Sequence, residues 1–190
     1  MSKYQRLLLT LCVLGTAGTL TGFATFSAFS STTSNTGNTF ATGSVVLSDN
    51  DAGSSMYSVS NVGPGSSTVK CIKVTYTGSM PADVKLYTPS SVGAGANYID
   101  LTIEKGTGNP SFPGCTGFTS EATIYTGTLA GFASAKNSYA NGVSSYPGSQ
   151  TEWDQNNAVV YRFTLTVQDT NSAQGQTIAS HDFTWEARNQ

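Results

Sequence analysis

The chain has 190 residues, of which 11% are charged, against roughly 25% in an average globular protein. Serine, threonine and glycine supply 25, 27 and 20 of them, and such residues disfavour a helical bundle. Apolar residues make up 38% of the chain and aromatic residues 11%, which is enough for a core and argues against disorder. With 9 basic and 11 acidic side chains, the chain lacks the basic excess of a nucleic-acid binder.

The first residues have the pattern of an export signal. Two basic residues precede the apolar run Leu7–Leu14, and small residues follow it. This pattern predicts a secretory signal peptide over residues 1–24, because the apolar run is too short to span a membrane. Two cleavage positions fit: between Ala24 and Thr25, or, as the alternative, between Ala28 and Phe29.

Residues 25–42 form an N-terminal arm once the signal peptide is removed. The arm has no charged residue and is rich in serine, threonine and asparagine. Its apolar anchors are Phe26, Ala28, Phe29 and Phe40. No strand precedes it to pair with, so it can fold onto its own domain, add as a strand to another molecule, or stay a frayed terminus.

A short acidic segment, Asp49-Asn50-Asp51-Ala52-Gly53, follows the arm. Its spacing resembles half of a calcium loop, but the further oxygen ligands and the closing glutamate are missing. A tight turn between two strands is therefore predicted, and calcium binding by Asp49 and Asp51 is left open.

Alternation of apolar and polar residues predicts strands along the rest of the chain. The clearest run is Val159–Val167, in which the odd-numbered residues face the core and the even-numbered ones, including Val160, face outward. Other strong runs are 71–76, 98–104 and 182–186, and weaker ones are 43–48, 55–60, 84–88 and 122–126. Glycine and proline clusters separate the runs at 61–65, 78–81, 93–95 and 106–114.

Eight short strands with polar loops predict an all-β protein with one domain over residues 43–190. We expect an antiparallel two-sheet sandwich with jelly-roll topology. Residues 126–157 are the exception, because they form one long loop in which only Leu129–Tyr139 could make a short helix. Loops of this length are usually functional or disordered.

Three cysteines occur, and Cys12 would leave with the signal peptide. Cys71 and Cys115 remain, and an even pair in an exported protein predicts a disulfide. Two buried thiols are the alternative. Zinc binding is disfavoured because a structural zinc ion takes four ligands.

The sequence offers little catalytic chemistry. It has one histidine, His181, and no zinc-protease, nucleophile-elbow or phosphate-loop motif. His181 is expected at the surface or at a strand edge. We therefore predict no enzyme activity, no catalytic or metal site and no cofactor.

Six segments that span nearly the whole chain carry a family resemblance. They are Ser-Ala-Phe-Ser (27–30), Asn-Thr-Phe-Ala-Thr-Gly-Ser-Val-Val-Leu (38–47), Asn-Val-Gly-Pro-Gly (61–65), Thr-Gly-Ser (77–79), Gln-Gly-Gln (174–176) and Phe-Thr-Trp-Glu-Ala-Arg-Asn-Gln (183–190). In this order they resemble the TasA/camelysin family of secreted bacterial biofilm-matrix fibre proteins, which have SipW-type signal peptides.

The resemblance implies a jelly-roll protein that polymerises in the extracellular matrix or at the cell surface. Each subunit would donate its N-terminal strand to its neighbour, so the main partner would be the protein itself, with other matrix components as further partners. No nucleic acid and, after cleavage, no membrane would be bound. Some family members have been described as metalloendopeptidases, but a chain with one histidine and no zinc motif does not share that pattern. The pair Cys71 and Cys115 also departs from the best-known members.

A second interpretation is a monomeric secreted module that binds carbohydrate or a surface protein. It would use the 126–157 loop and Trp153, which lies between the acidic residues Glu152 and Asp154.

Overall fold

A computed structural model describes residues 42–58 and 62–189, in which eight strands and one α-helix are found. The predicted signal peptide, both cleavage positions, and the arm anchors Phe26, Ala28, Phe29 and Phe40 lie outside the described residues. The elements are β1 (Leu47–Asp49), β2 (Ser67–Tyr76), β3 (Ala82–Tyr87), β4 (Ile99–Thr107), β5 (Thr119–Thr128), α1 (Leu129–Ala135), β6 (Val143–Ser144), β7 (Ala158–Val167) and β8 (Thr184–Asn189).

The strands form two antiparallel sheets. One has five strands in the order β1-β2-β7-β4-β5, and the other has three in the order β6-β3-β8. The apolar faces of the sheets enclose one core, as expected when each sheet buries one face. The predicted all-β, two-sheet sandwich is therefore confirmed.

The strand pairings follow the jelly-roll pattern. In that fold a long antiparallel hairpin rolls into two sheets, so the first strand pairs with the last, the second with the seventh, the third with the sixth and the fourth with the fifth. The pairs β2–β7, β3–β6 and β4–β5 all occur. The pair between a first strand and β8 does not occur in residues 42–58 and 62–189, where β1 pairs with β2 instead.

The core contains the side chains that alternation assigned to it. Ile72, Val74 and Tyr76 of β2 are buried, as are Tyr161 and Phe163 of β7. Most of the residues that alternate with them face the other side of the strand and are partly exposed. Period two is a local property of extended backbone, which is why these inward faces were predictable.

Val160 faces away from the core as predicted, but it is not open to solvent, because its side chain is only 1% exposed. The long loop between β4 and β5 is tied to this outer face by the disulfide between Cys71 and Cys115, whose Cα atoms are 5.1 Å apart. The ring of Phe118 also lies 4.7 Å from the guanidinium carbon of Arg162. Val160 and Cys71 are therefore buried on a face that alternation alone assigns to solvent.

Several predicted element boundaries differ from the structure. The helix is present but ends at Ala135; the Thr128 side chain caps it by accepting a hydrogen bond from the Gly131 N–H at 3.0 Å. The strand predicted over 43–48 is reduced to β1. The predicted strand 55–60 is absent over its described residues, 55–58. The turn predicted from residue 106 begins later, because β4 continues to Thr107.

In the described ranges, no helix has the length and apolar character needed to cross a membrane.

Candidate functional site

A groove of about 500 Å³ opens between the two sheets beside β8. Its floor is apolar and is built by side chains of both sheets. The floor residues are Ile72, Ile99, Leu165, Val167, Phe183 and Trp185. Hydroxyl groups and the carboxylates of Asp51 and Asp182 line the rim, and no lysine or arginine does so in the described part of the chain. A groove with this lining suits an uncharged segment that carries large apolar side chains.

The groove exists because the sheets are unequal. The five-stranded sheet extends past the three-stranded one, and β8 is the last strand of the smaller sheet. The side chains of Phe183, Trp185 and Ala187 pack partly against the core and are only half covered. No described residue pairs with the outer edge of β8. Partly covered apolar side chains next to an unpaired strand edge mark a site for strand addition.

In the described residues, one side-chain hydrogen bond links the two walls of the groove, which are formed by residues 54–58 and residues 178–182. The hydroxyl of Tyr57 lies 2.5 Å from Nε2 of His181, and Nδ1 of His181 lies 2.9 Å from the carbonyl oxygen of Ala179. Since a carbonyl can only accept, Nδ1 carries the proton, and in the neutral ring Nε2 then accepts from the tyrosine. Burial raises the pKa of Tyr57 far above its ordinary value of 10.0, so the hydroxyl stays protonated and donates.

This geometry assigns His181 a structural contact. Its ring also lies 5.5 Å from that of Phe183 in an edge-on arrangement. His181 lies three residues before the start of β8 and is partly exposed, so it stands beside the strand and not within it. The partner of its free nitrogen is a tyrosine, which is not the serine that a hydrolase triad requires.

Trp153 is a core residue, so the prediction that it lies at the surface of a binding loop is wrong. Its side chain is 0% exposed, and its indole N–H donates to the carbonyl oxygen of Ser145 at 2.7 Å. Its backbone exchanges two hydrogen bonds with Ala82, at 2.8 and 3.0 Å. The neighbouring Glu152 and Asp154 remain at least partly exposed. Alternation cannot reveal this burial, because Trp153 sits in a loop and is covered by distant elements.

The acidic segment forms a tight turn, as predicted, but only one of the two flanking strands, β1, is found in residues 42–58. The Asp49 carboxylate accepts from the Asp51 N–H at 3.1 Å, and that of Asp51 accepts from the Gly53 N–H at 2.6 Å. Ala52 and Gly53 both have positive φ, 52° and 76°, which accounts for a glycine here. Burial and the neighbouring Asp51 raise the pKa of Asp49. The carboxylates are thus used by the turn, and calcium binding remains untested.

No group of three or more residues with metal-binding side chains is found within the described ranges.

Sequence reasoning missed the groove, Tyr57 and the contact between Tyr57 and His181. The weak alternation at 55–60 placed Tyr57 in a strand, whereas its segment runs along the wall of the groove without regular pairing. The groove brings together strands as far apart in sequence as β2 (Ser67–Tyr76) and β8 (Thr184–Asn189). Only the predicted strand count combined with jelly-roll pairing could have indicated that β8 lies at the edge of its sheet.

Comparison with known proteins gives little guidance. No protein-family model matches the chain, and no curated protein matches it. A solved structure of AvmM, which catalyses macrocyclization in alchivemycin A biosynthesis, can be aligned with this chain. The alignment covers 77% of this chain and 89% of the AvmM chain, at 10% sequence identity and a TM-score of 0.23. A TM-score this low supports no inference about fold or function.

Proposed function

We propose that the protein is a secreted structural subunit of an extracellular matrix fibre. Each subunit donates its uncharged N-terminal arm, residues 25–42, as a strand to the next subunit. Such contacts are heterologous, since a different surface is used on each partner. Head-to-tail contacts of this kind build open filaments when they do not close into rings.

The observation that carries this proposal is the unpaired sheet edge beside an apolar groove. An exposed edge presents rows of unpaired N–H and C=O groups, which another strand can use. Apolar surface next to that edge adds a hydrophobic contribution, at about 25 cal/mol for each Å² removed from water. A monomer with both features would be prone to association.

The composition of the arm supports the same proposal. It carries three phenylalanines and no charge, and each buried aromatic side chain removes about 150–250 Å² from water. The described domain begins at Thr42, so the arm leads directly into it. An extended chain spans about 3.3 Å per residue, which gives the arm a reach of roughly 55 Å, enough for a neighbouring subunit.

The disulfide between Cys71 and Cys115 is compatible with export. Disulfides persist in oxidising compartments and are rare in the cytosol. The proposal predicts no chemical reaction and needs no cofactor.

The proposal is tested by negative-stain electron microscopy of two purified proteins, one beginning at Thr25 and one beginning at Gly43. We expect filaments from the first and single particles from the second. A variant that also begins at Thr25 and carries Phe29→Ser and Phe40→Ser is the matched control, because it keeps the arm's backbone and removes apolar anchors. It should form few filaments.

Each other outcome is informative. Single particles from every protein, at all concentrations, would contradict the fibre function and favour a monomeric binding module. Filaments from every protein would retain the structural role and contradict strand donation.

A further inference from the structure

We propose that the loop between β4 and β5 covers the free edge of β2, and that the disulfide between Cys71 and Cys115 holds this loop in place. Residues 108–118 form the loop, which we name the edge guard. When the disulfide is reduced, the edge of β2 is exposed and pairs with the same edge of a second copy. This contact lies on the five-stranded sheet and is independent of the arm and of β8.

The strand β2 has one side without a full-length neighbour. It has ten residues and pairs over nearly its whole length with β7 on one side. On the other side, β1 pairs with only three of its residues, 74–76. A long edge with unpaired N–H and C=O groups is a template for pairing with another chain, and folded proteins cover such edges. The rest of this edge of β2 therefore needs a cover.

The direction of the backbone decides which groups of β2 face this edge. The Tyr76 N–H donates to the carbonyl oxygen of Asn157, the residue before β7, at 2.8 Å. Backbone groups alternate sides along a strand, so the even-numbered residues of β2 face β7 and the odd-numbered residues face the free edge. Lys73 and Cys71 are the first odd-numbered residues beyond the pairing with β1.

The edge guard and one asparagine satisfy these two N–H groups. The Cys71 N–H donates to the Pro113 carbonyl oxygen at 3.1 Å. The Lys73 N–H donates to the side-chain oxygen of Asn50 at 2.9 Å, and the side-chain nitrogen of Asn50 donates to the Pro110 carbonyl oxygen at 3.1 Å. Asn50 therefore links the edge of β2 to the guard, and neither N–H is open to another chain.

The edge guard crosses the sheet to reach β2, because β7 lies between β4 and β2. Neighbouring strands are about 4.8 Å apart, so the guard spans roughly 10 Å over the outer face. Its far end is attached by the disulfide and by the Lys73 ammonium, which donates to the side-chain oxygen of Asn109 at 2.9 Å. That hydrogen bond is exposed, so water competes with it. The disulfide is therefore the attachment that fixes the guard on the edge.

The strand beneath the guard suits pairing with a second copy of itself. Valine, isoleucine and threonine, which favour strands, supply five of its ten residues. Val69, also odd-numbered, is 47% exposed, and its N–H has no backbone partner within residues 42–58 and 62–189. Removal of the guard joins this open position to those of Cys71 and Lys73 in one row. Two copies related by a two-fold axis align such rows antiparallel.

Reduction releases the guard without a change of sequence. Cys71 is buried and Cys115 is partly exposed, so a reductant reaches the bond from the side of Cys115. A dithiol supplies two electrons and two protons; the S–S bond breaks, two thiols remain, and the dithiol becomes a cyclic disulfide. Under oxidising conditions the guard stays closed and keeps the edge of β2 out of contacts between copies.

Hydrogen exchange tests the guard in the protein that begins at Thr25. In the double variant Cys71→Ser and Cys115→Ser, the amides of residues 71 and 73 should exchange about tenfold faster than in the oxidised protein, because they lose their cover. The amides of Ile72 and Val74 face β7 and report global unfolding, so they should gain less. An equal gain at all four amides would overturn the guard.

Asn50→Ala keeps the disulfide and provides the test if the double variant does not fold. It should accelerate exchange of the Lys73 amide and leave that of Ile72 unchanged. Asn109→Ala is the matched control, since Asn109 contacts the Lys73 side chain and not its backbone. Equal exchange at the Lys73 amide in Asn50→Ala and the unaltered protein would contradict the cover by Asn50.

Two proline variants identify the paired edge, because proline removes one N–H and is tolerated at a free edge. Val69→Pro acts on β2. The control is Thr126→Pro on β5, whose N–H also faces a free edge. Tyr98, before β4, accepts from the Gln168 N–H at 2.9 Å, so the odd-numbered residues of β4 face β5. Their partners in β5, such as Gly127, face back, which leaves Thr126 directed outward.

Analytical ultracentrifugation measures the mass of soluble species, and electron microscopy measures the width of any filaments. We expect one of these to double in the double cysteine variant and in the unaltered protein treated with dithiothreitol. The doubling should persist with Thr126→Pro and disappear with Val69→Pro. Doubling that persists with Val69→Pro would overturn β2 as the contact, and no doubling in any reduced or cysteine-free protein would overturn the proposal.

Discussion

The two sides of the sandwich differ in how completely they are covered by other parts of the chain. On the outer face of the five-stranded sheet, the β4–β5 loop is held by the disulfide from Cys71 to Cys115, and nearby Arg162 pairs with Glu104 at 2.6 Å. On the other side, β8 borders a groove whose walls are joined by one side-chain hydrogen bond, between Tyr57 and His181. The first side is closed by contacts within the chain, and the second leaves apolar surface partly open.

Under the proposed function, the first side contributes stability and the second side contributes the contact with another copy. A covalent bond that restricts the unfolded chain stabilises the domain without using its core. The domain can then leave an edge and a groove uncovered and still remain folded. The following changes test that division, beginning with the largest expected effect.

Removal of the disulfide should destabilise the whole domain. The double substitution Cys71→Ser and Cys115→Ser frees a loop closed over a separation of 44 residues, which corresponds to about 4 kcal/mol of unfolding free energy in the chain-entropy model. Urea denaturation monitored by tryptophan fluorescence measures the change. Equal midpoints for the variant and the oxidised protein would contradict a stabilising role for this closure.

Loss of the ion pair should have a smaller and pH-dependent effect. Burial acts to raise the pKa of Glu104, but hydrogen bonds from Ser120 and Arg162 and the charge of Arg162 outweigh it and lower the pKa below its ordinary 4.5. Arg162 is 34% exposed and Glu104 15%, so solvent screening limits the contribution. Arg162→Met should cost about 1 kcal/mol at neutral pH.

The pH dependence of Arg162→Met follows from the sign of that shift. Because the pKa of Glu104 is lower in the folded state, its ionised carboxylate stabilises the folded protein above pH 4.5. This contribution is lost as the pH falls through the folded-state pKa. The difference in stability between the unaltered protein and Arg162→Met should therefore shrink in acid. Lys73→Met is the control, since the Lys73 ammonium donates to the amide oxygen of Asn109 at 2.9 Å and forms no ion pair with a carboxylate in the described residues. A difference that stays constant from pH 7 to pH 3 would contradict this interpretation.

The smallest effect on the free energy of unfolding is expected at the groove beside β8. Tyr57→Phe removes one hydroxyl and its bond to His181, so the unfolding free energy should fall by about 1 kcal/mol or less. Hydrogen exchange should nevertheless become faster locally, at residues 178–182. Tyr98→Phe is the control, because the Tyr98 hydroxyl makes no hydrogen bond among residues 42–58 and 62–189. Equal exchange rates in both variants would mean that this bond does not hold the walls together.

Much of the fold could be predicted because the relevant signals are local. The alternation over Val159–Val167 corresponds to β7, and the run through Ile103 corresponds to most of β4. The cysteine count led to the correct pair, Cys71 and Cys115. The signal peptide remains a prediction, as do the arm and the fibre function, which the electron microscopy above addresses.

The sequence by itself determined the class of the fold, the inward faces of its strands and the turn at Asp51, because these depend on neighbours a few residues apart. Only the tertiary structure decided that Trp153 and Val160 are buried, that Tyr57 meets His181 across 124 residues, and that β8 borders a groove. Each of these depends on which distant segments pack together. Local alternation carries no information about that choice, since the free energy of packing is set by strand pairing across the whole chain.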